Sequence, residues 1–121
     1  MAQLEGLLQG IAAADGVRAV VVAGSDGLLI HGSQQGGQED LEAVAAIAAS
    51  IVGSLQSLSK EMERKELQEA IATFADSTVL LQPVGQEALL AVLLSGAGNL
   101  GRIRFLVHKR MPEIATTIRE M

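Results

Sequence analysis

The chain has 121 residues, 49 % of them hydrophobic, which is enough for one domain with its own core and excludes a disordered segment. It contains no cysteine, so disulfide and thiolate chemistry are excluded. The net charge of −5 excludes a general binder of nucleic acid or anionic membranes, although charge is unevenly placed: residues 1–98 carry −8 and residues 99–121 carry +3.

Gln3–Ala13 places Leu4, Leu7, Leu8 and Ile11 on one side of a short helix, which the Asp15-Gly16 turn ends. Val17–Ala23, β-branched and apolar, reads as a buried strand. Gly24-Ser25-Asp26-Gly27 reads as a hairpin turn and Leu28–His31 as the returning strand. Gly32–Gln38 reads as a flexible polar loop. Glu39 and Asp40 then open a long helix that runs to Met62 and ends in the charged run Lys60–Lys65. Leu67–Phe74 is predicted as the third strand, with Leu67, Glu69, Ile71 and Thr73 on one face. Glu66 and Glu69 suit an edge that must resist stray pairing.

After a tight turn at Asp76-Ser77, Thr78–Gln82 is the fourth strand, stopped by Pro83. Gly85-Gln86 turns into Ala88–Leu94, an apolar and central fifth strand. Ser95–Gly98 is a loop, and Asn99 caps a last helix striped by Leu100, Ile103, Val107, Met111, Ile114 and Ile118. Pro112 inside that helix predicts a kink or break near His108–Met111. The order is helix, two strands, helix, three strands, helix. Short hairpins make the five-stranded sheet antiparallel, with helices on both faces, an α+β arrangement in a single domain over residues 1–121.

The long helix carries two seams at steps of three and four. Leu41, Val44, Ala48, Ile51, Leu55, Leu58 and Met62 form a large seam, expected to bury against the sheet. Ala43, Ala46, Ser50, Gly53 and Ser57 form a second seam of small residues, and no charge occurs from Ala43 to Ser59. Such a back lets another backbone approach, so the seam, with Ile47 and Ser54, is expected to form a dimer or partner interface. The alternative is a helix sandwiched inside its own domain. With four serines, a glutamine and a glycine, the uncharged run reads as too short and too polar to span a membrane. The N-terminal stretch does not resemble a signal peptide, which makes the cytoplasm the expected location.

Gly96-Ala97-Gly98-Asn99-Leu100-Gly101 matches G-x-G-x-x-G between a strand and a helix, but no strand follows that helix and no acidic residue stands ready for a ribose. The glycines read as a tight turn, and no cofactor is expected. No phosphate-binding loop with its lysine is present. His31 and His108 lack partners at metal-ligand spacing, and Glu39 and Asp40 read as helix-start residues, so no catalytic role and no metal are assigned. Phe105 projects about 160° from the last helix's apolar stripe, among Arg102, Arg104, His108 and Lys109. It is expected to pack against the first helix. The alternative is an exposed aromatic anchor in a secondary partner surface of Arg102, Arg104, Phe105 and Lys109.

The runs LEGLLQGI, DGVRAVVVAGSDGLLI, VLLQPVG and ALLAVLLSGAGNLGRIR, with the alanine-rich helix between the second and third, resemble the Roadblock family of dynein light chains and bacterial GTPase partners of the MglB type. The likeness spans nearly the whole chain. It implies a five-stranded antiparallel sheet with the long helix on one face and two helices on the other, and dimers formed through the long helix and an adjacent edge strand. The implied partners are a second copy or a paralogous chain, and a Ras-like GTPase that the protein regulates or scaffolds. Some MglB-type members carry tails beyond the last helix of this sequence, so activation and plain scaffolding both remain open. Two long helices side by side would present Ala43, Ala46, Ile47, Ser50, Gly53, Ser54 and Ser57 as a weakly polar surface rimmed by Glu39, Glu42 and Lys60. No basic residue lies inside it to act as an arginine finger, and Arg64 and Arg102 lie outside.

Overall fold

A computed structural model describes residues 2–36, 38–96 and 99–121. Its elements are α1 (Ala2–Ala12), β1 (Val17–Gly24), β2 (Leu29–Gln34), α2 (Leu41–Glu61), β3 (Ala70–Thr73), β4 (Ser77–Val84), β5 (Ala88–Ser95) and α3 (Leu100–Arg119). The strands form one sheet in the order β2-β1-β5-β4-β3, antiparallel throughout.

Two of the three inner strands, β1 and β5, read as largely apolar runs because both of their faces are covered. Val20, Val22, Leu90 and Val92 point into a core closed by Leu4, Leu8 and Ile11 of α1 and by Ile103, Val107 and Ile114 of α3. The alternate residues Val21, Ala23, Leu89 and Ala91 point into a second core closed by Ala45, Ala48, Ala49 and Val52 of α2. A period-two chain with both side-chain sets buried has no polar face to show.

Several local expectations are corrected. β2 continues to Gln34, pairing Gly32 with Val21 and Gln34 with Ala19, where a loop was expected. The Leu41 side chain at the start of α2 lies over this stretch: a Cβ on Gly32 would stand 2.7 Å from Leu41 Cδ1, which would have to turn aside to admit it. β3 is only four residues long. β4 runs through Pro83 to Val84, since β3 ends at Ala70 opposite Leu81 and the proline sits where β4 has lost its outer neighbour. α3 is helical without interruption through Pro112. Asn99 occupies the residue before α3 but makes no side-chain cap. Its Nδ2 donates instead to the Asp15 carbonyl at 2.6 Å, tying the two ends of the α1–β1 and β5–α3 connections together.

Asp40 caps α2, its carboxylate accepting from the Ala43 N–H at 3.1 Å. By length and composition α2 is apolar enough to cross a membrane, against the expectation that it is too polar. Its place in the fold accounts for that apolarity in another way, because one side of it is packed on the sheet. The helix ends in a Schellman arrangement: Arg64 N–H donates to the Ser59 carbonyl at 2.9 Å and Glu63 N–H to the Lys60 carbonyl at 3.0 Å. Glu63 holds a positive φ of 54°, a conformation that costs an L-residue about 1–2 kcal/mol.

Replacing Glu63 by glycine removes that cost and adds some chain entropy to the unfolded state. The expected result is a gain of about 0.5–1 kcal/mol in urea unfolding at fixed protein concentration. A loss of stability would show that the Glu63 side chain contributes more than its backbone strain removes.

Candidate interaction site

Helix α2 has three faces. The inner one is built from Ala45, Ala48, Ala49 and Val52, with Leu41, Val44 and Leu55 half-buried beside them. This corrects the expectation that the whole large seam faces the sheet: Ile51, Leu58 and Met62 are exposed, Leu58 by 50 %. Together with Ile47, 60 % exposed, they form an apolar flank about 120° around the helix from the inner face. The third face is the small seam, and Ala43, Ala46, Ser50, Gly53 and Ser57 are all exposed, as is Ser54 between the seam and the flank.

The hairpin between β1 and β2 identifies which side each face looks toward. Gly27, at φ 89°, lies against Ala46: a Cβ built on it would be 3.6 Å from Ala46 Cα. The small seam therefore borders the β1–β2 turn, and the apolar flank lies on the other side of the helix. β3 is an edge strand, and Ile71 and Phe74 are exposed on it and beside it. The flank of α2 and the edge of β3 are thus two apolar surfaces whose large side chains no described residue covers.

On the opposite face of the sheet, α3 presents the predicted secondary residues in two groups. Phe105 is 65 % exposed, which corrects the expectation that it packs on α1. Arg102 and Lys109 are exposed beside it, one turn before and one turn after. Arg104 turns away into a clasp: its Nε donates to Glu69 Oε1 at 3.2 Å and its Nη2 to Glu69 Oε2. Gln82 Nε2 donates to the same Oε1 at 3.2 Å, and His108 Nε2 stands 3.8 Å from it. Glu69 therefore does not repel neighbours at the strand edge as expected. It is turned inward and fastens the start of β3 to α3. The Arg104 hydrogen bond, working against the desolvation of a largely buried carboxylate and helped by the Arg104 charge, the Gln82 bond and His108, holds the Glu69 carboxyl below its ordinary range.

The glycine-rich turn at Gly96–Gly101 follows β5, which is antiparallel to both of its neighbours, so the parallel βαβ setting of a dinucleotide site is missing. Ala97 and Gly98 of that turn lie outside the described residues. Glu39 pairs with Arg18 at 2.7 Å, and Asp40 is the α2 cap, so both carboxylates have structural partners.

Residues 3–94 match the Roadblock/LC7 domain family. The uncharacterised protein MJ0714 of Methanocaldococcus jannaschii is 33 % identical over 100 residues, covering 83 % of each chain. Among solved structures, Myxococcus xanthus MglB superposes with a TM-score of 0.90 at 18 % identity, over 98 % of this chain and 90 % of that one. The gliding protein MglB of Thermus thermophilus superposes with a TM-score of 0.89 at 16 % identity, over 99 % and 91 %. These two likenesses establish the expected fold, with the long helix alone on one face and two helices on the other.

The Glu69 clasp has a pH signature. Its folded-state pKa lies below the ordinary 4.5, so its contribution to stability is fully present above that value and is lost as pH falls through the folded pKa. Wild type is expected to lose more stability on acidification below about pH 4.5 than Glu69→Gln does. Equal acid slopes in paired urea titrations would show that the clasp contributes nothing.

Proposed function

Because the chain belongs to the Roadblock/LC7 domain family, we propose that it is a non-enzymatic, cytoplasmic dimeric module that binds and regulates a Ras-like small GTPase. The observation that carries the proposal is the pair of exposed, uncharged faces on one helix. The apolar flank of Ile47, Ile51, Leu58 and Met62 is exposed, as are Ile71 and Phe74 at the free edge of β3, and a single copy gains nothing from leaving them in water. Two copies meeting along β3 and this flank would continue the sheet from one copy to the other and lay their α2 helices side by side. The partner in such a pair is a second copy or a paralogous Roadblock chain.

That pairing leaves the small seam outward. Ala43, Ala46, Ser50, Gly53 and Ser57 from two copies make a smooth platform free of charge at its centre, the composition of an interface core. The GTPase docks there. With no cation inside the platform, any stimulation of hydrolysis acts by repositioning the GTPase's own groups rather than by an arginine finger. The same lack of a catalytic cation favours a second reading, a scaffold that holds the GTPase without altering its turnover.

Two substitutions separate the faces. Ile51→Glu puts a charge in the paired flank and is expected to weaken the dimer at least about tenfold, seen by light scattering as a shift from about twice 12.6 kDa toward a single copy. Ser50→Glu, chosen because Ala46 already lies against Gly27, is expected to leave the dimer intact and abolish capture of the cognate GTPase in a pull-down. A wild-type monomer at micromolar concentration overturns the pairing, and full capture by Ser50→Glu overturns the platform. Capture with unchanged GTP hydrolysis selects the scaffold.

A further inference from the structure

We propose that copies of this protein also join head to tail, the basic aromatic seam of α3 on one copy seating in an acid-rimmed apolar hollow on the next. The knob is Arg102, Phe105 and Lys109, spaced three and four apart so that they share one exposed line of α3. Among the described residues neither Arg102 nor Lys109 has an acidic partner, whereas the neighbouring Arg104 and Arg110 are paired with Glu69 and Glu113. An aromatic ring standing in water between two unpaired cations has the composition of a binding anchor.

The hollow lies elsewhere on the same chain, between the β1–β2 turn and the C-terminal end of α3. It encloses about 560 Å³, and its apolar lining is Leu28, Ile30, Ile118 and Met121, with Asp26 and Glu87 on the rim. Leu28 is 68 % exposed and Met121 is also exposed, so this apolar lining is open to water in a single copy. The rim is held in place before anything binds. Asp26 Oδ1 accepts from the Leu28 N–H at 3.1 Å, and Ser25 N–H donates to the Glu87 carbonyl at 2.8 Å, joining the two turns. A prearranged site loses less entropy when it is filled.

Knob and hollow complement each other in charge and in polarity: cations flank an apolar ring, and anions flank an apolar depression. Phe105 and Ile118 are thirteen residues apart on one helix, about 20 Å along its axis. They also point about 140° apart around it, so knob and hollow lie on different surfaces and the contact joins successive copies head to tail. It uses neither the flank nor the small seam of α2. A second copy is a better occupant than a membrane or nucleic acid because it offers one apolar depression with two carboxylates at its rim, matched to one ring and two cations.

Sedimentation velocity of the full chain over a dilution series, in about 0.15 M salt, tests this. The wild-type weight-average mass should rise with concentration beyond that of a knob variant, Phe105→Ala with Lys109→Glu. A hollow variant, Asp26→Asn with Glu87→Lys, keeps the acceptor for the Leu28 N–H and should likewise not grow. Mixing the two variants should restore association, because the hollows of one remain intact and so do the knobs of the other. The comparison is with each variant's own base mass, so it holds whether that unit is one copy or two, and failure of the flank pairing would appear separately with Ile51→Glu. Circular dichroism confirms that each variant is folded. The proposal is overturned if wild type never exceeds the knob variant, if the mixture does not associate, or if both variants assemble. It is also overturned if wild type binds phosphatidylserine vesicles through Phe105 and does not self-associate.

Discussion

Helix α2 packs on the sheet through Ala45, Ala48, Ala49 and Val52, with Leu41 and Val44 half-buried beside them. At 100° per residue these positions leave Ile47, Ile51 and Leu58 on a flank about 120° away, where they stay exposed. The exposed apolar flank thus follows from which positions of the helix the sheet takes. The packing energy that would come from burying those side chains is unrealised in one copy and becomes available to an interface.

The edge strand β3 is short and poorly covered. β3 has four residues, three of them exposed, and pairs only with β4. Main-chain pairing alone would hold such a strand weakly. The Glu69 clasp supplies a second attachment just before it, fixing the entry to β3 against α3 through Arg104 and against β4 through Gln82. The position of the edge available for pairing with another copy thus depends on a polar cluster on the opposite face of the sheet. Arg104, drawn into that cluster, is also removed from the basic seam beside it, which leaves Phe105 between Arg102 and Lys109.

The element order, the antiparallel sheet and the two-sided burial of β1 and β5 were legible in the sequence, because hydrophobic periodicity and turn chemistry act locally. Three readings failed where a tertiary contact overrode the local rule. The polar run after His31 is paired because β1 stands beside it and Leu41 lies over it. Pro83 stays in its strand because the neighbour that would have needed its N–H ends two residues earlier in the register, at Leu81. Glu69 looked like an exposed guard of the edge, and only the fold brings Arg104, thirty-five residues away, to its carboxylate.

The candidate site was half legible for a more basic reason. The 3–4 spacing of the α2 seams identifies residues that share a face of the helix, and it contains no information on which face the domain itself covers. Leu41, Ala48, Ile51 and Leu58 lie close enough in angle to read as one seam, yet the sheet takes the alanine and leaves Ile51 and Leu58 out. Angle sorts them within the seam: Leu41 and Ala48 stay near the inner face, whereas Ile51 and Leu58 have drifted more than about 100° from it. The small seam sits on the back of the helix for a complementary reason. Nothing in the domain needs volume there, and the absence of volume and charge together is what a second protein requires in order to come close.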